Sequence, residues 1–271
     1  MYPDLFKIGP ITIHSFGVMA MLGFLIPTLI MRKEFSRQKI NPDLANNIAV
    51  GAILGGFVGA RLYFIIEHWS EFVLNPMAMI FSGAGLVWYG GLIGGVIGVL
   101  WVIHKSEYSV SKIGDTVAPL ILLGYAIGRI GCQLAGDGDY GPPSNLPWAM
   151  AYPHGVVPTD VPVHPTPIYD FILSMIFFWL LWKFKKSSTI TGQTMGAAFI
   201  AMGIERFITE FFRNTPKISS LGITHAQFIS LLVIVSGVII LLRLRNSMQA
   251  TLPSSAKRQE PSVVELKKGQ K

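Results

Sequence analysis

Charged residues are scarce in this sequence. Only 14% of its 271 residues are Asp, Glu, Lys or Arg, against roughly 25% in an average soluble domain. Hydrophobic residues make up 51%, and the mean hydropathy is +0.50. The net charge is +7, but the cations cluster in short segments between apolar runs. This pattern is typical of membrane topology and argues against nucleic acid as a partner.

Cysteine is almost absent as well. The single Cys132 excludes an internal disulfide and any metal site built from several cysteines, and we expect no metal ligands. The first ten residues also lack a basic stretch followed by an apolar stretch, so no cleavable signal peptide is predicted.

Long apolar runs are abundant. A membrane-spanning helix needs about 20 mainly apolar residues. The sequence predicts an all-α polytopic membrane protein with seven transmembrane helices, at residues 14–31, 46–66, 85–104, 115–135, 167–183, 193–211 and 225–243.

Lysine and arginine predict the direction of the spans. Cations follow the first, third, fifth and seventh spans, whereas residues 62–104 and 130–182 contain none. Because loops rich in Lys and Arg stay in the cytoplasm, we expect the N-terminus outside and the C-terminus in the cytoplasm.

The chain is expected to have two parts. Residues 1–245 form the seven-span catalytic domain, with a small extracytoplasmic cap at about 136–166 that is rich in proline, glycine and aromatic residues. Residues 246–271 are polar and basic, which is typical of a disordered cytoplasmic tail near anionic lipid headgroups.

Glycine recurs every four residues in the second and third spans, at Gly51, Gly55, Gly59, Gly90, Gly94 and Gly98. Small residues at this spacing let helix backbones approach closely, so helix packing is one interpretation. The other is that Gly90 and Gly91 also let a lipid headgroup come close. The spacing does not separate the two.

Ionisable residues inside the spans are functional-site candidates, because each is energetically costly in the membrane. Arg206, Glu210 and Arg213 share one helix face, and an internal Arg206–Glu210 salt bridge is one interpretation. The alternative interpretation rests on a count of charges, because Arg61, Arg129 and Arg206 outnumber the carboxylates that are expected near them. Excess arginine would then bind a phosphate at headgroup depth, as part of a phospholipid.

Six sequence blocks carry a resemblance to a known family. They are IGPITIHSFG (8–17), GARL (59–62), GLVWYGGLIGG (85–95), DTVAPLILLGYAIGRIGCQLAGDGDYG (115–141), HPTPIYD (164–170) and ERFITEFFR (205–213). In this order, and in a chain of seven predicted spans, they resemble the prolipoprotein diacylglyceryl transferase family over nearly the whole length.

The resemblance implies a specific reaction. The family transfers the diacylglyceryl group of phosphatidylglycerol to the lipobox cysteine of a preprolipoprotein, at the outer face of the bacterial inner membrane. A thioether forms and glycerol phosphate leaves, without a metal or organic cofactor. The implied partners are phosphatidylglycerol, the signal peptide with its lipobox cysteine, and the lipid bilayer.

The matching positions suggest roles for individual residues. We assign Arg129 and Arg206 to the phosphate, Tyr89 to a headgroup hydrogen bond or a proton relay, and Glu210 to the orientation of Arg206. His164 has a structural alternative, as a residue at the start of a helix. The other expected substrate-binding residues are Phe16, Arg61, Gly90, Gly91, Asp137, Tyr140 and His164.

The chain also departs from the better-known members of the family. They have histidine at Tyr89, asparagine at Cys132 and Ala135, and glutamate at Asp137. The arginines are retained, so the resemblance supports the phosphate-binding half of the site more than the half that handles protons. Cys132 is not expected to be a nucleophile, because the substrate brings its own thiol and a thioether is a poor leaving group.

Two other function classes stay open. Buried arginines and glycine-rich helices would suit an anion transporter or channel, although the spans show no internal repeat. A non-catalytic relative that binds lipid or lipoprotein would accommodate the departures at Tyr89 and Cys132. Phosphatidylglycerol-dependent modification of a lipobox peptide discriminates among the three.

The predicted orientation can be tested with single cysteines in a Cys132-free background. A cysteine placed within residues 136–166 should react with an impermeant thiol reagent in intact cells. A cysteine in the tail at Ser254 should react only after permeabilisation. The reverse pattern would contradict the orientation and, with it, a substrate in the outer leaflet.

Overall fold

The computed structural model describes residues 1–81, 87–218 and 222–251, and this part of the chain is mostly helical. Its helices are α1 (Ser15–Arg37), α2 (Asp43–Glu67), the short α3 (Trp69–Leu74) and α4 (Pro76–Phe81), α5 (Trp88–His104), α6 (Val110–Ala135), α7 (Thr166–Ser187), α8 (Gln193–Thr209) and α9 (His225–Thr251). Four short strands form two antiparallel pairs, β1 (Asp4–Ile8) with β2 (Ile11–His14) and β3 (Met150–Tyr152) with β4 (Thr159–Val163).

Five of these helices, α1, α2, α6, α7 and α9, are long and apolar enough to cross a membrane. The prediction of a helical, polytopic membrane protein is therefore confirmed. The remaining two predicted spans coincide with α5 and α8, which have 17 residues each and are about 26 Å long at 1.5 Å per residue. Residues 85–86 of the predicted third span lie outside the described residues.

The predicted sixth span, at about 193–211, changes helix type near its end. The α-helix stops at Thr209, and Glu210–Phe212 form a single turn of 3-10 helix. This tighter turn buries Glu210. It also brings Arg213, the next residue after the turn, to within 3.9 Å of the Glu210 carboxylate.

Helix α6 packs against α1, α7 and α8 and so lies at the centre of this part of the bundle. More than half of the residues in its most apolar stretch are buried, a much larger share than in the other long helices. The hydroxyl of Ser109 caps its first turn by accepting from the Lys112 amide at 3.3 Å. It ends at Gly136, whose φ of +60° is the left-handed conformation that glycine adopts without strain.

The glycine stripes of α2 and α5 face each other across an intimate contact. A methyl group on Gly90, Gly94 or Gly98 would lie 2.1–2.3 Å from a backbone carbonyl oxygen of α2. The helix-packing interpretation is confirmed for these positions, because any larger residue would force the two backbones apart.

A charged cluster joins the helices at the end of the bundle where α1 and α7 finish. Glu34 is buried and accepts hydrogen bonds from Arg37, at 2.7 Å, and from Lys185. Asp115, near the start of α6, accepts the backbone N–H of Gly192 at 2.7 Å and so caps α8. These contacts link α1, α6, α7 and α8 at one end.

The opposite end carries both strand pairs. The Tyr2 amide donates to the Leu134 carbonyl at 2.9 Å, which places the β1–β2 hairpin beside the last turn of α6. Residues 136–165 connect α6 to α7 and include β3 and β4. The Val156 amide in this segment donates to the Ala135 carbonyl at 2.9 Å, so the segment also folds back onto α6.

Helix α9 continues to Thr251, past residue 246, where the tail was predicted to begin. The sequence holds neither glycine nor proline between α9 residue 238 and Pro253. Residues 252–271, the rest of the predicted tail, lie outside the described residues.

The α2–α5 contact predicts a position-specific effect of one methyl group. Gly94→Ala should lower stability by about 1–3 kcal/mol, because its Cβ would overlap a carbonyl oxygen of α2. Gly95→Ala is the matched control, since its Cβ would meet α2 at 3.4 Å, an ordinary contact. Thermal unfolding of the purified proteins in detergent measures the difference, and equal midpoints would contradict the packing argument.

Candidate active site

Arg129 lies on the penultimate turn of α6 and is only 6% exposed. Its Nε is 2.7 Å from Oδ2 of Asp170, one turn into α7. Its Nη1 donates to Oδ2 of Asp139, in the loop that follows α6. The ring of Tyr125, one helical turn earlier, lies 5.8 Å from the guanidinium carbon. Arg129 is thus contacted by two carboxylates and one aromatic ring.

Two glycines bring Asp139 back over the end of α6. Gly136 and Gly138 have φ angles of +60° and +92°, which lets the chain reverse within a few residues. The Asp139 amide then donates to Oδ1 of Asp137 at 3.2 Å, and its carbonyl accepts from the Thr166 hydroxyl at the start of α7. The loop is therefore fixed at its backbone.

Arg213, just after the 3-10 turn, completes a closed arrangement of alternating charges. Its Nη2 donates to Oδ1 of Asp139, and its Nη1 lies 3.5 Å from Oδ2 of Asp170. Each aspartate therefore contacts both Arg129 and Arg213. We call these four residues, Arg129, Asp139, Arg213 and Asp170, the charge ring.

Arg206 and Glu210 form a second pair beside the ring. Arg206 Nη2 lies 2.8 Å from Glu210 Oε2, which confirms the predicted internal salt bridge. The other oxygen of Glu210 accepts from the Thr215 hydroxyl. The Arg213 Nε, at 3.9 Å from Glu210 Oε2, connects the pair to the ring. The side chain of Arg206 is 31% exposed, whereas that of Glu210 is fully buried.

The predicted excess of arginine is wrong for this cluster. Arg129 has two carboxylate partners, Asp139 and Asp170, which the charge count left out. Asp139 and Asp170 both lie inside sequence blocks that carry the family resemblance, but their positions in the sequence do not show that they contact the same arginine. Asp170 alone gave a usable signal, because an acidic residue inside an apolar span has to be paired.

The electrostatic state of Asp139 follows from two opposing influences. Burial raises the pKa of its carboxyl, but the positive charges of Arg129 and Arg213 outweigh this, and the pKa is held below its usual value. Asp139 is therefore a carboxylate at neutral pH. It stabilises the fold above its unfolded-state pKa, and that stabilisation is lost as the pH falls through the lowered folded-state value.

An aromatic cluster lies next to the ring, around His164. The His164 Nδ1 is within hydrogen-bond distance of the Tyr169 hydroxyl, at 3.2 Å, and that hydroxyl accepts from Trp148 at 2.9 Å. Phe212 packs against both rings. These contacts support the structural interpretation of His164, while its role in substrate binding stays a prediction.

Asp137 and Tyr140 lie in the loop that covers the end of α6. The Tyr140 hydroxyl donates to the Val157 carbonyl at 3.1 Å, and its ring stacks on Tyr152 at 4.9 Å between centroids. Burial raises the pKa of Tyr152 to about 12, so its hydroxyl stays protonated and donates to Gln133 at 2.9 Å. These contacts fix Tyr140 and Tyr152 within the segment that joins α6 to α7.

The other predicted site residues lie on α1, α2 and α5. Phe16 packs over Gly131, two residues beyond Arg129. Arg61 lies on α2 with its guanidinium 5.7 Å from the Phe64 ring, and Tyr89, near the start of α5, is 44% exposed. The contacts that define the ring involve neither Arg61 nor Tyr89, so their place in the same site stays a prediction.

Gly90 and Gly91 both face α2. The Cβ position of Gly90 is 2.3 Å from the Gly59 carbonyl oxygen, and that of Gly91 is 3.5 Å from the Gly56 oxygen. Packing alone accounts for glycine at position 90. Contact with a lipid headgroup at either position stays a prediction.

Cys132, Asp137 and Asp139 bring one possible metal-ligand atom each to within 4.8 Å of one another. Both carboxylate oxygens of Asp139 already accept from guanidinium groups. A cation placed there would also lie beside the positive charge of Arg129, so the donor set does not suit a metal ion.

Comparison with known proteins decides the family. A family model described as prolipoprotein diacylglyceryl transferase matches residues 3–243. The chain belongs to this family. The match includes every helix from α1 to α8 and most of α9, and it contains the complete charge ring.

Curated relatives support the same assignment for this member of the prolipoprotein diacylglyceryl transferase family. A phosphatidylglycerol–prolipoprotein diacylglyceryl transferase of Clostridium tetani is 34% identical over 242 residues, covering 89% of this chain and 96% of the relative. A second, from Clostridium perfringens, is 32% identical over 86% of this chain and 92% of the relative. A third, from Leptospira interrogans, is 28% identical over 87% of this chain and 89% of the relative.

The one cysteine of this family member lies against the ring. Cys132 is buried, and its Sγ accepts from Arg129 Nη1 at 3.3 Å. The predicted position of Cys132 beside Arg129 is therefore confirmed. The thiol packs against the side of the guanidinium.

Cys132→Ser and Cys132→Ala should keep substantial transferase activity. These near-isosteric changes should lower stability by less than about 1.5 kcal/mol and the rate of diacylglyceryl transfer by less than tenfold. Mass spectrometry of a lipobox peptide measures the rate, and thermal unfolding checks the fold. Complete inactivity of a folded Cys132→Ser protein, together with a lipid adduct on Cys132 in the parent, would establish a covalent enzyme intermediate instead.

Proposed function

We propose that this chain is a seven-span enzyme of the bacterial inner membrane with its N-terminus outside. It transfers the diacylglyceryl group of phosphatidylglycerol to the lipobox cysteine thiol of a preprolipoprotein. A thioether forms and glycerol phosphate is released. The observation that carries the proposal is the convergence of Arg129, Arg206 and Arg213 at one end of the bundle, in a member of a family whose curated relatives bear that name.

The location of the arginines supports the orientation. The charge ring lies at the end of α6 where the N-terminal hairpin and residues 136–165 also lie. Lys183, Lys185 and Lys186 lie at the far end of α7. Because Lys-rich ends face the cytoplasm, the ring lies on the outer side, at the depth of the outer headgroups, and α5 and α8 complete the seven spans.

The arginines bind the phosphate of the lipid. Arg206 is the most exposed guanidinium of the cluster, and Glu210 and its Thr215 contact orient it. Arg129 adds Nη2, a buried donor with no hydrogen-bond partner among the described residues. Guanidinium groups present paired N–H donors that match phosphate oxygens, so the cluster offers donors at a fixed position.

The chemical step is a displacement at a glyceryl carbon. The thiolate of the peptide forms the C–S bond, the C–O bond to the phosphate breaks, and its electron pair stays on the phosphate oxygen. Arg129 and Arg206 stabilise the negative charge that develops there. The proton of the thiol has to leave before or during attack.

Tyr89 and the outer loop act around this centre. Tyr89 hydrogen-bonds the headgroup or relays the thiol proton, with Arg61, Gly90 and Gly91 on the same pair of helices. Phe16, Asp137, Tyr140 and His164 shape the access between the membrane and the cap. Their positions around the end of α6 support this arrangement.

The reaction is tested by reconstitution in vesicles. The purified protein is incubated with a lipobox peptide in vesicles that contain or lack phosphatidylglycerol, and the peptide mass is measured. A mass increase by one diacylglyceryl group, dependent on phosphatidylglycerol and on the peptide cysteine, is expected. Peptide that binds unmodified would indicate a non-catalytic relative, and anion flux without peptide modification would indicate a transporter.

The arginine assignment makes a sharper prediction. Arg129→Ala and Arg206→Ala should each lower kcat/KM by about 10²–10³-fold. Arg129→Lys should recover little, because one ammonium cannot contact Asp139 and Asp170 while presenting a further planar donor. Arg32→Lys, an exposed position on α1, is the matched control and should transfer normally. Near-normal transfer by folded Arg129→Ala protein would refute the assignment.

A further inference from the structure

The Asp139 carboxylate lies where an anionic ligand of two arginines would lie. Its Oδ2 accepts from Nη1 of Arg129, and its Oδ1 accepts from Nη2 of Arg213. One acidic group therefore bridges two guanidinium groups, with a separate oxygen for each. A phosphodiester has two anionic oxygens of its own and is bound by arginine pairs in the same bridging way.

The two carboxylates of the charge ring differ in their freedom to leave it. Asp170 is on α7 and its side chain is fully buried, whereas the side chain of Asp139 is 34% exposed. Asp139 also lies in the loop that contains Gly136 and Gly138, both in left-handed conformations. Release of the Asp139 backbone from Asp137 and Thr166 would let this loop shift at its two glycines and carry the carboxylate towards solvent, while Arg129 and Asp170 stay on α6 and α7.

The ring also leaves one nitrogen of Arg129 without a contact to a carboxylate, since Nε at least lies 2.7 Å from Asp170. Arg129 Nη2 is buried and has no hydrogen-bond partner among the described residues. A buried, charged donor without a partner is unfavourable, and the Asp139 carboxylate has both oxygens already engaged. A phosphodiester in this place has two ester oxygens besides its two unesterified ones, so it can offer that donor an acceptor that the carboxylate lacks.

We propose that Asp139 is an internal substitute for the lipid phosphate, which phosphatidylglycerol displaces from Arg129 and Arg213 when it binds. The inference rests on the proposed function of the arginine cluster and adds a residue that regulates access to it. In the empty enzyme, Asp139 keeps the buried arginines neutralised. In the complex, the phosphate takes over that role and the carboxylate turns outward.

Competition by Asp139 sets the affinity for the lipid. Where only a fraction of the molecules has the anion position open, the apparent dissociation constant rises in proportion to the reciprocal of that fraction. Removing the charge of Asp139 should therefore tighten phosphate binding, although it also removes a native ion pair. A residue with a purely structural role would have the opposite effect, since its loss would loosen both arginines.

The test compares Asp139→Asn with Asp139→Glu and with the parent. Asp139→Asn should lower the KM for phosphatidylglycerol, and the inhibition constant of sn-glycerol 1-phosphate, on the order of 3- to 10-fold. Asp139→Glu keeps the competing charge and should lower neither. Asp160→Asn, which removes an exposed carboxylate on β4, is the control for a change in net charge and should match the parent.

Each other outcome counts against the inference. An unchanged or higher KM for phosphatidylglycerol in Asp139→Asn would overturn it. A lower inhibition constant for glycerol phosphate with an unchanged KM for the lipid would assign the position to a free phosphate. If the parent itself transfers no diacylglyceryl group, the proposed function fails first, and the two failures are therefore distinguishable.

Hydrogen exchange on the parent protein keeps the test independent of whether the variants fold. Saturating short-chain phosphatidylglycerol should increase deuterium uptake across residues 137–140, because the loop loses its contacts to Arg129 and Arg213. Uptake across residues 166–172 of α7, which carry Asp170, should stay the same or fall. Unchanged or reduced uptake in the loop would show that Asp139 remains in the ring when the lipid is bound.

Discussion

The charge ring is the interaction on which the bundle end at the C-terminus of α6 depends. It joins the end of α6, the loop after it, the start of α7 and the segment after α8 through two arginines and two aspartates. Burying any of these charges alone would be prohibitive, and removing one partner of a buried pair costs about 3–5 kcal/mol. The four residues therefore fix one another, and with them the relative positions of three helices.

The remainder of the fold brings the ring together and keeps it accessible. Glycine contacts let α2 and α5 pack without intervening side chains, and the Glu34–Lys185 pair fastens the opposite end of the bundle. At the end that carries the ring, the left-handed Gly136 ends α6 and turns the chain over the end of that helix. The result is a rigid helical base with a short loop over a concentration of cationic groups.

This arrangement suits an enzyme that has to hold a phosphodiester at the edge of a membrane. Arginines brought into a low-dielectric region need an anion at all times, and carboxylates supply it while the lipid is absent. Glu210 and Asp170 are buried, whereas the side chain of Asp139 is partly exposed. The same carboxylates that balance the charge of the arginines also stabilise the fold.

The sequence by itself determined the membrane class, the seven apolar segments, the glycine stripes and the family, because hydropathy, spacing and motif order are local properties of a chain. It also identified Arg129 and the Arg206–Glu210 pair. The partners of Arg129 were decided only by the tertiary structure. Asp139 and Asp170 lie 10 and 41 residues away from it in the chain, and only the turn at Gly136 and the packing of α7 on α6 bring their carboxylates to one guanidinium. Counting charges along the sequence predicted an excess of arginine, whereas pairing in space leaves the ring neutral, since the energy of a buried charge depends on its nearest neighbours and not on its position in the chain.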